Sequence, residues 1–300
     1  MLDELKTFIA VVNLKNFTKA AEQLSLSQPS VSQHIKNLEK TFNAILIKRS
    51  IKQKSIEITP AGKILYDRAQ QICKLYDYTL NEINELQETI CGQLHIGASF
   101  TIGEYFLPEL LGKFSKLYPK LNLQITIENT AKICQKLAAL EIDIALIEGT
   151  APADRFAKTT FYKDQLVLIT ALDNPLGETF FSASNWQKQI WITREIGSGS
   201  RQQLDNFLKE TKLIPENLIV FGSNFAVKEA VKNNLGVSFI SSHIANLAQL
   251  QQEVKIVTPH QNYYREFNYL LPQNIPSTAT IKAFINNLHE SFSDYTVNKF

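Results

Sequence analysis

The 300-residue sequence contains three cysteines and no arrangement of them that suggests a bridge or a metal site. Cys73, Cys91 and Cys134 are odd in number, lie far apart and form no CxxC or Cys/His spacing. Disulfide frameworks and structural zinc sites need paired or clustered cysteines, so both are disfavoured. We therefore expect neither a metal ion nor a cofactor.

Long apolar segments are also missing. No apolar run approaches the roughly 18–20 residues that span a bilayer. The start, MLDELKTF, is acidic and lacks the basic and apolar regions of a signal peptide. A hydrophobic content of 44% and a charged content of 20% are ordinary for a soluble globular protein. These features predict a cytoplasmic protein of two or three domains with no membrane partner.

The net charge of the whole chain is small, but positive charge is concentrated in one region. The formal net charge is only +2, yet residues 15–63 hold nine basic and three acidic side chains, a local balance of +6. Residues 64–90 carry −3, and the chain after residue 90 holds 19 charges of each sign. Positive charge focused on one small region favours a polyanionic partner.

The region that carries this charge has the pattern of three short helices. The second is expected to be capped by Thr18, and the third by Ser27 after the tight turn SLS. Pro29 falls in the first turn of the third helix, where its missing N–H has no cost. The third helix has an apolar inner stripe and an unusual outer face of short hydrogen-bonding groups, namely Pro29, Ser30, Ser32, Gln33, Lys36 and Asn37.

Two extended pieces, AILIKR and SIEIT, flank the basic tip SIKQK and predict a β-hairpin wing. Together with the two helices joined by SLS, the hairpin completes a winged helix-turn-helix, whose second motif helix enters the DNA major groove. Gln can bond bidentately to adenine, and Ser can bond to donors or acceptors on base edges. Lys36 and the wing supply attraction to phosphates. The outer face of the third helix is therefore interpreted as a base-reading face.

A long helix follows, opened by Thr59 as N-cap and Pro60 at its first position. Apolar residues recur in it at alternating spacings of four and three, a heptad seam that predicts pairing between subunits. The positions of the seam are Leu65, Ala69, Ile72, Tyr76, Thr79, Ile83, Leu86 and Ile90.

From residue 92 strands and helices alternate, which predicts a parallel sheet with helices on both faces. QLHIGAS, LNLQITIE and IDIALIEG are expected strands, with helices at 103–118 and 130–140. A second series runs from DQLVLITA to GVSFI, FNYLL gives another strand, and residues 277–291 form a last helix. This order predicts two lobes joined by crossings near residues 160 and 267.

Two other classes share such lobes. An enzyme would need a catalytic constellation, but GxSxG, HExxH and P-loop motifs are absent and GSGS lacks the P-loop lysine. A periplasmic solute-binding protein would need a signal peptide and would not carry the first 90 residues. No triad or metal spacing relates the five histidines, His34, His95, His243, His260 and His289. A DNA-binding assay separates both classes from a regulator.

The segments FIAVV, NFTKAAEQLSLSQPSVSQHIKNLEKTFNAILIKR and ITPAG resemble the N-terminal domain of LysR-type transcriptional regulators. GASFTIGEYFLPELLGKFSKLYP and REIGSGSR are similar to the effector domain of that family. The resemblance implies an α+β multidomain chain: a winged helix-turn-helix over 1–60, a linker and dimerisation helix over 61–91, and an effector-binding domain over 92–300. That domain resembles type 2 periplasmic binding proteins, with lobe 1 at about 92–160 and 267–300 and lobe 2 at about 161–266.

The resemblance also assigns DNA contacts, residue by residue. Its motif places base contacts at Gln28, Pro29, Ser32 and Gln33 and phosphate contacts at Ser27, Ser30 and Arg49. Thr18 and Lys36 belong to the same expected interface, and charge and position add Lys52 and Lys54 at the wing tip. One departure is Ile47, where the family usually has Phe, and we expect it to alter packing and not DNA binding.

The effector is expected between the lobes, where strand ends meet helix N-termini. The expected residues are Ser99, Phe100, Thr101, Thr130, Thr150, Gly197, Ser198 and Gly199. Hydroxyls and free N–H groups there suit a small anionic metabolite, with a lean towards sulfur assimilation or carbon metabolism. The resemblance further implies double-stranded operator DNA, a homodimer or homotetramer, and RNA polymerase as partners.

Overall fold

Two compact units make up the chain, Met1–Thr89 and Ile90–Phe300. Each unit has its own apolar core. The computed structural model describes residues 1–50, 55–85, 90–152, 154–179, 181–273 and 275–297.

The first unit begins with three short helices, α1 (Leu2–Leu14), α2 (Phe17–Gln23) and α3 (Gln28–Thr41). Ser27 caps α3 by accepting a hydrogen bond from the N–H of Ser30 at 3.2 Å, which confirms its predicted role. The predicted cap of α2 is wrong. Because α2 begins at Phe17, its N-cap is Asn16, whose Oδ1 accepts from the N–H of Thr18 at 2.8 Å.

The wing follows α3 as β1 (Ile47–Ser50) and β2 (Ser55–Ile58), which pair antiparallel and confirm the predicted hairpin strands. Ile47 is only 7% exposed and lies in the core of the unit, so its substitution for Phe is a matter of packing. The wing-tip residues Lys52 and Lys54 lie outside the described residues, as does the side chain of Arg49.

The long helix α4 spans Pro60–Glu85, and Thr59 caps it as predicted: its Oγ1 accepts a hydrogen bond from the N–H of Gly62 at 2.9 Å. The two halves of the predicted heptad seam have different surroundings in this helix. Leu65 and Ala69 are buried in the core of the first unit, since this half of α4 packs on α1. The later half presents an exposed apolar surface, which we call the linker face: Ile72, Leu75, Tyr76, Leu80 and Ile83, each 43–56% exposed. Leu86 lies outside the described residues.

Lobe 1 of the second unit is built on parallel strands, with β3 (Gly92–Ser99) between β4 (Leu121–Glu128) and β5 (Ile144–Glu148). The single helix expected over 103–118 is two helices, because the chain turns at Phe106 and Pro108 opens a new first turn. The helices of this lobe are α5 (Phe100–Tyr105), α6 (Leu107–Leu117), α7 (Thr130–Ala138) and α12 (Ala279–Val297).

Two long strands cross from lobe 1 to lobe 2, β6 (Phe156–Thr170) and β11 (Tyr263–Pro272). They pair antiparallel along their length, with a register shift between Phe267 and Asn268. The predicted pair of crossings is thereby confirmed. β11 also pairs with β5, and β6 pairs with β9 (Ser238–Ser241) and β10 (Lys255–Val257), all antiparallel. The expected parallel pairing is confirmed for β3, β4 and β5, but the crossing strands add antiparallel neighbours. Among the described residues, seven strands thus form one mixed sheet that runs through both lobes.

Lobe 2 adds a parallel pair, β7 (Ile190–Arg194) and β8 (Asn217–Phe221). Its core holds Trp186, Trp191 and Phe207, all nearly fully buried. The helices are α8 (Ala183–Trp186), α9 (Gly199–Glu210), α10 (Asn224–Lys232) and α11 (Ser242–Leu250), with a 3-10 turn at Pro175–Glu178. Sequence reasoning missed α11 because it follows β9 directly, with no turn residue between them.

Candidate functional site

The outer face of α3 presents its polar side chains to solvent while Val31, Ile35 and Leu38 anchor the helix in the core. Neighbouring side chains on this face are already paired. The Gln28 amide donates to Ser32 Oγ at 3.0 Å and the Gln33 amide to Asn37 Oδ1 at 2.8 Å. Ser27, Gln28, Pro29, Gln33 and Lys36 are exposed, as is Thr18 on α2, and Ser30 and Ser32 are half-buried. The face can therefore offer preoriented donors and acceptors to base edges.

Two contacts fix α3 against α1. The Asn37 amide donates to Glu4 Oε1 at 2.7 Å, and this hydrogen bond lowers the pKa of Glu4. Thr7 Oγ1 lies 2.8 Å from His34 Nδ1, which gives His34 a structural partner on α1. Both contacts fix the orientation of α3, and therefore of its base-reading face, relative to α1.

Glu39, which sequence reasoning did not single out, connects α3 to the wing. Its Oε1 accepts hydrogen bonds from the backbone N–H of Leu46 at 2.9 Å and of Ile47 at 3.4 Å. Leu46 directly precedes β1 and Ile47 begins it, and both residues are buried. One carboxylate thus sets the position of the hairpin relative to the base-reading face.

Replacing Glu39 by Ala is expected to destabilise the protein by about 1–3 kcal/mol, because two buried N–H groups lose their acceptor. Urea unfolding followed by circular dichroism measures this. Glu57→Ala is the matched control, since Glu57 is exposed on β2 of the same hairpin. Its effect should stay within about 0.5 kcal/mol. Equal destabilisation by both changes would show that the Glu39 hydrogen bonds contribute nothing specific.

In the second unit the two lobes are closed on each other around Arg265, a 4% exposed side chain of β11. Its guanidinium donates to Asp164 Oδ2 on β6 at 2.8 Å, to Ser200 Oγ on α9 at 3.0 Å and to Thr101 Oγ1 on α5 at 3.1 Å. Asp164 also accepts from Ser241 Oγ at 2.7 Å. A buried charge is tolerated only when it is paired and hydrogen-bonded, and Arg265 meets that condition by joining both lobes.

A second cluster closes the cleft beside α7. The Asn129 amide of lobe 1 donates to Glu195 Oε1 of lobe 2 at 3.0 Å, and the N–H of Ala131 donates to the carbonyl of Gly197 at 3.0 Å. Burial acts to raise the pKa of Glu195, but hydrogen bonds from Arg194 and Asn129 outweigh it and the pKa is lowered. Glu195 therefore remains a charged acceptor at neutral pH.

Backbone contact closes the middle of the cleft. A Cβ on Gly199 would lie 2.3 Å from the carbonyl oxygen of Glu148, so only glycine permits this approach. Gly149 has φ of +93°, which also favours glycine. Next to them, the N–H of Thr150 donates to Gln202 Oε1 at 3.1 Å and the Gln202 amide to Thr150 Oγ1 at 3.0 Å. We call this pair of hydrogen bonds the Thr150–Gln202 clasp.

Three of the residues expected to bind an effector lie behind these contacts. Ser99 and Thr101 are no more than 1% exposed, and their hydroxyls already bond to Glu148 and to Arg265. The Phe100 ring is covered by the Arg194 guanidinium, 4.3 Å from the ring centroid. Neither hydroxyl can meet a ligand unless the lobes separate.

The other five expected residues line one cavity of about 340 Å³, which we call the effector cavity: Thr130, Thr150, Gly197, Ser198 and Gly199. It opens at the N-termini of α7 and α9. The first N–H groups of a helix have no intrahelical acceptor, and Ser198 makes no side-chain capping bond to those of α9. Arg201 and Asp205 both line the cavity and form an ion pair at 2.8 Å, in which Asp205 is half exposed and can give up Arg201 to another anion. This arrangement can hold a small anion.

Sequence reasoning missed Arg265 and Asp164 because nothing in the chain sets them apart. Asp164 lies between Lys163 and Gln165, and Glu266 follows Arg265, so neither is an isolated charge in an apolar strand. The expected strand FNYLL began only at residue 267 and did not include Arg265.

Across the described part of the chain, no cluster of three His, Cys, Asp or Glu side chains could hold a metal ion. No helix there combines the length and apolar character needed to cross a membrane.

Family models match most of the chain. Residues 2–63 match the model described as bacterial regulatory helix-turn-helix protein, lysR family, and residues 87–293 match the LysR substrate binding domain. The HTH-type transcriptional regulator CysL of Bacillus subtilis (strain 168) is 42% identical over 97% of both chains. A "Probable RuBisCO transcriptional regulator" of Cyanidium caldarium is 30% identical over 85% of this chain and 80% of its own.

A solved structure matches the second unit. The CcmR regulatory domain of Synechocystis PCC6803, in complex with 2-PG, has a TM-score of 0.62 and 23% identity, covering 68% of this chain and 98% of its own. At that identity the likeness concerns the fold alone. The curated relatives are described as regulators and not as enzymes. With an N-terminal helix-turn-helix and a two-lobed second unit that both match, the chain belongs to the LysR family of DNA-binding transcriptional regulators.

Proposed function

We propose that this regulator is switched by a small anionic metabolite bound in the effector cavity. The observation that carries the proposal is that the N-terminus of α9, which has no side-chain cap, lies beside Arg201 in a cavity of about 340 Å³ that residues of α7 close from the other lobe. Ligand cavities in proteins have volumes of about 300–1,000 Å³, so this one suits a small molecule. The related fold of CcmR with 2-PG supports a ligand of this size class.

Closure of the lobes is the proposed switch. Hydrogen bonds from Ala131, Asn129 and Thr150 already join the lobes, so the structure represents the closed arrangement. A ligand that touches α7 and α9 together binds this arrangement better than an open one, and that difference in affinity shifts the equilibrium. Thr101 acts in the same proposal by holding the closed state from behind the cavity, because its hydroxyl accepts hydrogen bonds from Arg265 and from Asn224 of lobe 2. Ser99 bonds to Glu148 within lobe 1 and so supports the wall of the cavity on that side.

On the DNA side, we propose that Gln28, Pro29, Ser32 and Gln33 contact bases and that Ser27, Ser30, Lys36 and Arg49 lie near phosphates, with Thr18, Lys52 and Lys54 at the edges of the interface. The linker face is the proposed dimer contact, in a homodimer or a homotetramer. We further propose a cytoplasmic location and a contact with RNA polymerase. The proposed pathway is sulfur assimilation or carbon metabolism. The names of the RuBisCO regulators, at 30% identity, support the second, but CysL, at 42%, is the more similar of the two relatives.

The anion test uses footprints of an operator selected from a random DNA pool, recorded with sulfate, phosphate and 2-PG. At least one of these anions should change the footprint of the wild-type protein. The Arg201→Gln variant should then need an anion concentration at least about tenfold higher for the same change in the footprint, because it has lost a charge-assisted contact. Basal operator binding should be unchanged.

Lys209→Gln is the matched control, since it removes the same charge from an exposed position on the same helix. A wild-type footprint that none of the three anions alters would contradict the proposed ligand class. A wild-type response in Arg201→Gln would place the ligand elsewhere.

A further inference from the structure

A second cavity lies on the other side of the Thr150–Gln202 clasp, along the strands that cross between the lobes. Its volume is about 380 Å³, and we call it the crossing-strand cavity. Lys158 and Lys163 of β6, Arg265 of β11 and Gln203 of α9 line it. Thr150 lines both cavities, so the clasp is the partition between them. A ligand here would lie outside the effector cavity and would not touch the N-terminus of α7.

Basic side chains dominate the lining of this cavity. Lys158, Lys163 and Arg265 supply three cations, and Glu266 supplies the one acidic side chain in the lining. The Lys158 ammonium lies 3.7 Å from Glu266, but both side chains are about half exposed, at 45% and 58%. An exposed ion pair of this kind contributes little stability and can exchange for another anion.

The other two cations differ in how they are held. The Lys163 ammonium lies 4.4 Å from the centroid of the Tyr264 ring, a contact that fixes its position without neutralising its charge. Arg265 is buried, and two of its partners are buried carboxylates, Asp164 at 2.8 Å and Glu148 at 3.9 Å. The cavity therefore combines one rigid, buried guanidinium with two lysines that have charge to offer a ligand.

We propose that the crossing-strand cavity is a second anion site, for a small oxyanion of at least two negative charges such as a phosphate ester or a polycarboxylate. Two lysines match a multiply charged group better than a single carboxylate, and the amides of Gln203 and Asn268 add hydrogen-bonding capacity. The site is separate from the proposed effector cavity, so experiment can contradict either of the two proposals without contradicting the other.

Arg265 connects the occupancy of this site to the closure of the cleft between the lobes. The same guanidinium that lines the cavity donates to Thr101 in lobe 1 and to Ser200 in lobe 2. An anion that draws the guanidinium towards the cavity competes with both hydroxyls. Binding there and closure of the lobes are consequently coupled, and the coupling is reciprocal.

The test is calorimetric titration of the full-length wild-type protein with inorganic phosphate and, separately, with citrate. Lys158→Gln combined with Lys163→Gln should weaken binding of at least one probe by about tenfold or more. Both lysines are exposed, so the variant should retain its melting temperature.

The matched control is Lys113→Gln combined with Lys116→Gln on α6, which changes the net charge equally. Lys113 is paired with Glu109 at 3.4 Å, much as Lys158 is with Glu266. This control should bind both probes as the wild type does. Arg201→Gln should keep the heat that the Lys158/Lys163 variant loses, because Arg201 does not line the crossing-strand cavity. The proposal is overturned if wild type shows no saturable heat up to ~10 mM of either probe, if the Lys158/Lys163 variant binds normally, or if the Lys113/Lys116 control loses the same affinity.

Discussion

Ile72→Asp combined with Ile83→Asp is expected to convert the protein to monomers and to weaken operator binding by about 10²–10⁴-fold. Both side chains belong to the linker face and are 44% and 56% exposed in the single chain. Burying two aspartates without partners in a subunit interface is strongly unfavourable. A monomer binds one half-site at a time and loses the effective concentration that a tethered second head provides.

Sedimentation velocity and titration of a selected operator measure the two effects. Ile214→Asp combined with Leu250→Asp is the control, because both residues are exposed apolar positions of the second unit, at 74% and 82%. It adds the same charge without touching α4. If the Ile72/Ile83 variant has wild-type mass and wild-type operator affinity, the linker face is not the dimer interface.

Gln28→Ala and Ser32→Ala are each expected to reduce affinity for the selected operator by about 1–3 kcal/mol, while non-specific DNA binding stays unchanged. The Gln28 amide donates to Ser32 Oγ in the free protein, so each side chain orients the other. Their contributions should therefore not be additive, and the double variant should lose less than the sum of the two single losses.

Competition binding against operator and random-sequence DNA separates specific from non-specific affinity. Gln71→Ala, at an exposed position of α4, controls for the loss of a glutamine amide. If Gln28→Ala and Ser32→Ala both retain wild-type discrimination between the two DNAs, the base-reading face is misassigned.

The first unit was predictable because its signals are local. Ser27 and Pro29 lie next to the helix they start, and the stripe of Val31, Ile35 and Leu38 has the helical period. The error at Thr18 is also local: Asn16 is an equally good cap two residues earlier, and only the position of Phe17 in the core decides between them.

The interior of the cleft was not predictable in the same way. Thr101, Asp164, Ser200 and Arg265 meet only after both lobes have formed, and no spacing in the chain records that meeting. The heptad seam failed in part for the same reason. Leu65 and Ile72 have the same pattern in sequence, and the packing of α1 against the first half of α4 alone decides which one is buried.

The crossing strands also constrain the order in which the protein can be completed during synthesis. β11 lies between β5 and β6 in the sheet, where Phe267 of β11 pairs with Glu148 of β5. In the sequence, all of lobe 2 lies between these two residues. Until the ribosome has made lobe 2, the β5 edge of lobe 1 has no neighbour on that side, and an open edge can pair with another chain. α12 emerges later still, so lobe 1, which begins first, is finished last.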